Sequence, residues 1–429
     1  YSFNKAEPKQ SDLLQKWTGE ITVDSAKNNS NDIQIVVYAK DNADNSSDNS
    51  IKIKIDTTAP RIDIRYDNNT FNGDNFFKAD RTATIVVTER NFKSDDVKIK
   101  IKNTDGVIPA VSGWRKSEGT GNLDNTTWTA TITYNADGDY EFGIEYTDLA
   151  GNKCSGEKYA DGTAAPKAFT IDKTNPVIDV SYDNNSAQNG NYYKAERTAT
   201  IVITEHNFNA EQVNITLKAS DDGAAITAPA VSGWTSNGDR NIATIAYKAD
   251  GYYTFDIAVK DKAGNSSADF AEQSFYVDKT APKLSITGVS NNSANNGDVI
   301  PVISYSDTNY DKNKVTITLN GAVRKAVELD GSYTDQHNGQ IFTFKNFTKE
   351  KWADDIYTLT AALTDKAGNT SSQTITFSVN RFGSTYALSK DFEKMNGSYV
   401  KDPQDVVIIE TNANELKNIK ITLFKNDET

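Results

Sequence analysis

One short phrase returns four times along the chain: Asp41-Asn-Ala-Asp-Asn45, Asp148-Leu-Ala-Gly-Asn152, Asp261-Lys-Ala-Gly-Asn265 and Asp365-Lys-Ala-Gly-Asn369. Successive starts lie 107, 113 and 104 residues apart, the length of one small sandwich domain. A fixed period of this size marks an array of domains, and 429 residues are too many for one compact core.

Each phrase sits between two alternating strands. Before it, apolar residues share one face: Ile33, Ile35, Val37, Ala39; Tyr140, Phe142, Ile144, Tyr146; Tyr253, Phe255, Ile257, Val259; and Tyr357, Leu359, Ala361, Leu363. Period two with one apolar face is a strand packed on a core from one side. The phrase then reverses the chain, Gly tolerating positive φ and Asp or Asn bonding nearby amides. After it come Ile51, Ile53, Ile55; Phe169, Ile171; Phe275, Val277; and Ile375, Phe377, Val379.

Short joints close the first three repeats: Asp56-Thr-Thr-Ala-Pro60, Asp172-Lys-Thr-Asn-Pro176 and Asp278-Lys-Thr-Ala-Pro282. The fourth, Asn380-Arg-Phe-Gly383, departs from the pattern. Pro fixes φ and stops the ladder, so joints this short predict a semi-rigid rod. Arg81–Phe92 and Arg197–Phe208 agree at ten of twelve positions, and Val-Ser-Gly-Trp114 recurs as Val-Ser-Gly-Trp234. Tyr (20) and Phe (18) far outnumber Met (1) and Pro (9), a usage that favours half-buried strands over helices.

Several classes of function are excluded or disfavoured. The net charge of −13, with Lys mixed among Asp, offers no basic face for nucleic acid. No stretch approaches the roughly 20 apolar residues of a spanning helix, so any export signal and anchor are expected outside this segment. The single cysteine, Cys154, forms no intrachain disulfide and reads as a loop residue. The two histidines, His206 and His337, fall in different repeats, and His206 takes the place of Arg90 in the sister repeat, so both read as surface residues. Acids recur at equal positions in each copy, whereas an active site normally occurs once, and no Gly-rich phosphate loop is present. The chain reads as a non-enzyme.

The pattern Tyr-x-(Phe/Leu)-x-(Ile/Ala)-x-x-x-Asp-x-Ala-Gly-Asn, followed by a strand and Asp-(Lys/Thr)-Thr-x-Pro, resembles the bacterial Ig-like repeats of large Gram-positive, clostridial-type surface proteins. The resemblance covers roughly 30–380. It implies an all-β fold of tandem immunoglobulin-like β-sandwich domains in an elongated array. The expected units are a partial or atypical Ig-like domain over 1–56, Ig-like domains over 57–174, 175–279 and 280–380, and the start of a further domain over 381–429, with strands near 404–411 and 416–425. It also implies a bacterial cell-surface location and a stalk presenting or forming a host-binding site. The alternative is direct recognition of a host ligand: an immunoglobulin in the manner of bacterial superantigens, a matrix protein or other host surface protein, or a mucin-type glycan.

Calcium is the cofactor to weigh. Asp56, Asp172 and Asp278 open the joints, each of which meets the next domain's polar tip loops, where Asp148, Asp261 or Asp365 is expected, and hard carboxylate oxygens suit that ion. In some Ig-like adhesins similar joints are stiffened by calcium; the competing reading makes these aspartates turn caps. A Lys–Asn isopeptide bond, with Glu89 and Glu205 as candidate acids, is a further option. Trp114, Trp234 and Trp352 occur once per repeat and read as core or sheet-end packing, while Trp17 and Trp128 have no matching position in the sister repeats. Phe76-Phe77 and Tyr192-Tyr193 follow Asn/Gly-rich turns and read as strand residues before loop-tip binders. Contacts unique to one repeat are expected in Lys153–Lys167, Arg115–Thr127 and Leu329–Gly339, or at a strand edge.

Overall fold

The computed structural model describes residues 3–5, 16–73, 75–117, 123–154, 157–159, 168–402 and 405–424. The chain divides into two compact units, residues 1–177, 205–212 and 259–268 forming one and residues 178–204, 213–258 and 269–429 the other.

In the first unit the alternation produces strands as expected. Along Arg81–Thr88, Arg81, Ala83, Ile85 and Val87 are buried, and the residues between them are half-buried. This strand is central in a five-stranded sheet ordered Glu157–Tyr159, Arg61–Tyr66, Arg81–Thr88, Thr127–Tyr134, Arg115–Lys116. The facing sheet runs Phe76–Phe77, Ala168–Ile171, Gly138–Tyr146, Val97–Asn103. Between them lie Ile62, Ile64, Ile85, Ile132, Tyr134, Tyr140, Phe142 and Phe169. The two layers bury the inward rows of both sheets, which is the sandwich solution.

Arg81 belongs to this core. Its guanidinium lies 3.6 Å from the Tyr66 ring centre and 4.0 Å from that of Phe77, and Nε donates to the Asn68 carbonyl at 2.9 Å. Arg197 repeats the arrangement with Tyr182 (3.6 Å), Tyr193 (4.1 Å) and the Asn184 carbonyl (2.9 Å). A desolvated cation over aromatic faces contributes about 2 kcal/mol, so the charge is held rather than stranded.

The second unit carries most of a second sandwich and the whole of a third. One joins Val177–Tyr182, Arg197–Thr204, Arg240–Tyr247 and Thr235–Asn237 in one sheet, and Tyr192–Tyr193, Gln273–Val277, Gly251–Val259, Val213–Asp221 and Ala224–Ala225 in the other. The other joins Lys283–Thr287, Val302–Ser306, Gly339–Phe344 and Gly331–Gln336 in one sheet. Its facing sheet holds Ser293–Asn295, Thr370–Val379, Asp355–Thr364 and Val315–Gly321.

Three tyrosines anchor the same corner in the three sandwiches. The hydroxyls of Tyr140, Tyr253 and Tyr357 donate to the carbonyls of Ala136, Ala249 and Ala353, four residues earlier, at 2.9, 2.9 and 2.8 Å. A buried phenol that reaches back to the preceding turn is the tyrosine corner of immunoglobulin-like sandwiches. The fold is all-β, with tandem Ig-like sandwiches.

The end segments are built differently. Ser30–Lys40 and Ser46–Ile55 form a two-stranded hairpin, with Val36, Tyr38 and Ile51 more than half exposed. Phe3–Lys5 pairs with Trp17–Gly19, and Thr385–Leu388 with Ile408–Thr411. The strand expected over 416–425 is not formed at 416–424. Leu416, Ile419, Ile421 and Leu423 are exposed there, and alternation without a pairing edge does not make a strand. No helix among the described residues is long and apolar enough to cross a membrane.

Candidate functional site

The repeated phrase builds its own turn. In all four copies the first Asp accepts from the backbone amide of the fifth residue, Asn45 (2.8 Å), Asn152 (2.8 Å), Asn265 (2.9 Å) and Asn369 (2.8 Å). The same Asn returns its side-chain amide to the second carboxylate oxygen, at 2.8 to 3.0 Å. Gly151, Gly264 and Gly368 supply the left-handed residue at φ +93°, +87° and +87°; in the first copy Asp44 takes it at +63°. The turn-cap reading therefore describes real bonds.

In the three sandwiches the phrase does more. Asn152, Asn265 and Asn369 also donate to the main-chain carbonyls of Asp56, Asp172 and Asp278 at 3.2, 2.9 and 2.9 Å. Each linker Asp folds onto its own segment, accepting from the amides of Thr58 (3.0 Å), Thr174 (3.1 Å) and Thr280 (3.1 Å). A second set of asparagines, Asn91, Asn207 and Asn309, donates to the other oxygen of the same linker carboxylates at 2.5, 2.8 and 2.8 Å. The aspartate entering each sandwich is thereby held by both of its carboxylate oxygens and its carbonyl.

A third acid completes each group. Glu89, Glu205 and Asp307, just past the strands Arg81–Thr88, Arg197–Thr204 and Val302–Ser306, accept from the amides of Asn91, Asn207 and Asn309 at 2.6, 2.6 and 2.7 Å. Carboxylate oxygens of Asp56, Glu89 and Asp148 lie within 4.8 Å of one another, as do those of Asp172, Glu205 and Asp261 and those of Asp278, Asp307 and Asp365. The structure pairs Asp56 with Asp148, Asp172 with Asp261 and Asp278 with Asp365. It adds the three acids that no local spacing connects to them. Glu89 and Glu205, weighed for an isopeptide bond, belong to these carboxylate groups.

Burial and crowding act on the acids of these groups. Burial, then the neighbouring Asp56 and Asp148, push Glu89 up to about 6. Burial, with Asp172 and Asp261, pushes Glu205 up to about 7. Burial, with Asp278 and Asp365, pushes Asp307 up to about 6. Burial also raises Asp172 and Asp278. The donor set is hard oxygen throughout, which fits a hard cation and no soft one.

The residue after the third acid differs at each site: Arg90, His206 and Thr308. The Arg90 guanidinium, almost fully buried, lies 3.3 Å from Asp56 and 3.1 Å from Asp124, and donates to the Ile55 carbonyl at 3.2 Å. The first cluster thus has a cation of its own, His206 is exposed beside the second, and the third has none from this position.

Residues 195–279 and residues 280–381 each match a model of the bacterial Ig-like domain. Two bacterial Ig-like domains are present. Among solved structures, the chain is similar to the Escherichia coli adhesin FdeC (14% identity, TM-score 0.28, 74% of this chain and 96% of that one). It is also similar to a tetra-tandem repeat from the extending region of a large adhesion protein (16%, TM-score 0.35, 77% and 76%). A third likeness is to the ICAM-5 D1–D4 ectodomain (8%, TM-score 0.33, 77% and 80%). No curated protein matches the sequence. The two matched domains contribute the third acidic cluster in full, since Asp278 ends one and Asp307 and Asp365 lie in the other.

Other residues singled out in the sequence fall as follows. Trp114 packs on Phe92 with ring centres 5.0 Å apart, and Trp128 stacks on the same ring at 4.8 Å while its Nε1 donates to the Glu89 carbonyl at 3.2 Å. Trp352 is 58% exposed beneath Arg324 (4.5 Å), so it is no core residue: the 3-10 turn Lys351–Ala353 that carries it buries Ala353 instead. Phe77 and Tyr193 point into cores; Phe76 and Tyr192, one residue earlier, point out. Cys154 is half-buried in a loop. His337 Nε2 lies 2.5 Å from Asp222, joining the turn after Gly331–Gln336 to that after Val213–Asp221. Residues 155–156 and 160–167 of the Lys153–Lys167 loop, and 118–122 of Arg115–Thr127, lie outside the described residues.

Proposed function

We propose that this chain is a non-enzymatic repeat region of a bacterial cell-surface protein, a stalk of Ig-like sandwiches whose linkers are clamped by calcium. The observation that carries the reading is the threefold return of one arrangement. At the head of each sandwich, the incoming linker aspartate meets two acids of that sandwich, and two asparagines lock its carbonyl and carboxylate. Asp56, Asp172, Asp278, Asp148, Asp261 and Asp365 supply ligands, with Glu89, Glu205 and Asp307 as the third carboxylate in each site. A divalent cation there would offset the repulsion among three neighbouring carboxylates, and would stiffen a five-residue linker.

The tandem Ig-like repeats favour the outside of the cell, and the sequence resemblance favours a Gram-positive one. The repeats support or form a site for a host surface component, whether protein, immunoglobulin or glycan. Antibodies against residues 177–379 should label intact cells without permeabilisation; labelling only after lysis sinks the surface reading. Direct recognition of a host ligand is the second reading, favoured by features that only one sandwich possesses.

A further inference from the structure

One sandwich carries such a feature. On the outward side of its larger sheet, Tyr192, Tyr276 and Tyr252 stand directly opposite one another on three neighbouring strands. Tyr192 and Tyr276 stack with ring centres 4.3 Å apart and planes 8° apart, and Tyr252 follows at 4.6 Å. All three are half-buried, while Tyr193, Val277 and Tyr253 beside them face the core. The same three positions hold Phe76, Thr170 and Asp139 in the preceding sandwich and Ala294, Ser378 and Ile356 in the following one. Folding the sheet does not require tyrosine at any of them.

The row borders a cleft of about 310 Å³. Asp221, Asp222 and Gly223 form one wall, and Lys366 enters from the other side with Nζ 5.6 Å from the Tyr192 ring centre. Asp222 is fixed in place by His337 and by the Asn338 side-chain amide at 2.8 Å. Aromatic edges beside a few oriented polar groups, in a cleft near the small end of ligand pockets, suit a small amphipathic ring.

We infer that this cleft binds an uncharged carbohydrate, a hexose or N-acetylhexosamine unit of a surface glycan. The inference rests on the surface-repeat reading and gives that surface a ligand class. A pyranose lies against the edges of the stacked tyrosines, carboxylates of Asp221 and Asp222 accept from its hydroxyls, and Lys366 donates to one. Two carboxylates against one ammonium, on a chain of net charge −13, disfavour sialylated or sulfated sugars.

The test is a panel of immobilised neutral oligosaccharides, with sialylated and sulfated ones beside them, probed with the 429-residue protein and followed by titration of the hits. Two variants copy residues that sister sandwiches already use, Tyr252→Ile with Tyr276→Ser and Tyr252→Asp with Tyr276→Thr. Saturable binding of a neutral glycan, weakened about tenfold or more in both variants at unchanged Tm, is the expected result. Binding confined to anionic glycans, binding indifferent to the variants, or no glycan binding would each overturn the sugar site. None of these outcomes touches the surface reading, which cell labelling decides separately.

Discussion

The side-chain amide of Asn265 donates at 2.9 Å to the carbonyl of Asp172, which lies 93 residues earlier and directly follows the strand Ala168–Ile171. The same nitrogen donates to Asp261 at 2.8 Å, so one buried amide ties the linker to the turn. Asn265→Ala leaves both acceptors without that donor. Loss of about 1–3 kcal/mol is expected, read as a lower Tm in thermal unfolding. An unchanged Tm would show that the tie contributes nothing.

The metal-free protein should be more stable in mild acid. Glu205 has its folded-state value raised from 4.5 to about 7, so the fold favours the protonated acid. For a raised group the stabilisation is complete below 4.5 and is lost as pH climbs through about 7, a swing of about 3 kcal/mol at the upper limit. Glu89 and Asp307, both near 6, act in the same direction. Unfolding in chelator at pH 5 and pH 8 checks this, and saturating calcium should flatten or reverse the trend.

The tyrosine corner gives a sharper number. Tyr253→Phe keeps the ring against Phe275 and removes only the bond to the Ala249 carbonyl. About 1 kcal/mol should be lost, with no change in calcium response. A loss several times larger would mean that the ring packing had moved as well.

Arg90 distinguishes the first cluster. Arg90→Gln removes the guanidinium near Asp56 and Asp124, and unpairing buried charge costs about 3–5 kcal/mol. Much of that loss should return on adding calcium, because the ion would replace the missing charge. A deficit equal in calcium and in chelator contradicts the counter-charge role.

Much of the fold could be read from the sequence because its determinants are local. Tyr140, Phe142, Ile144 and Tyr146 alternate in sequence and all four are buried in the sandwich. The Asp-x-Ala-Gly-Asn turn is equally local, a five-residue unit closed by its own side chains. Glu89, Glu205 and Asp307 were a different matter. Each joins its two aspartates only through strand pairing across tens of residues, and no spacing records that. Trp352 shows the converse, since recurrence once per repeat did not place it in the core. At 416–424 a real apolar alternation lacks a pairing edge. The tyrosine row emerges only once register sets Tyr192, Tyr276 and Tyr252 side by side.

The most direct test of the clamp is calorimetric titration of calcium into chelator-stripped 429-residue protein, paired with thermal unfolding in calcium and in chelator. Saturable uptake and a higher Tm in calcium are expected, both reduced in the Glu205→Gln, Asp307→Asn double variant. No heat of binding, together with the same Tm in calcium and chelator, would contradict the account and leave the three acidic clusters as hydrogen-bonded turn caps.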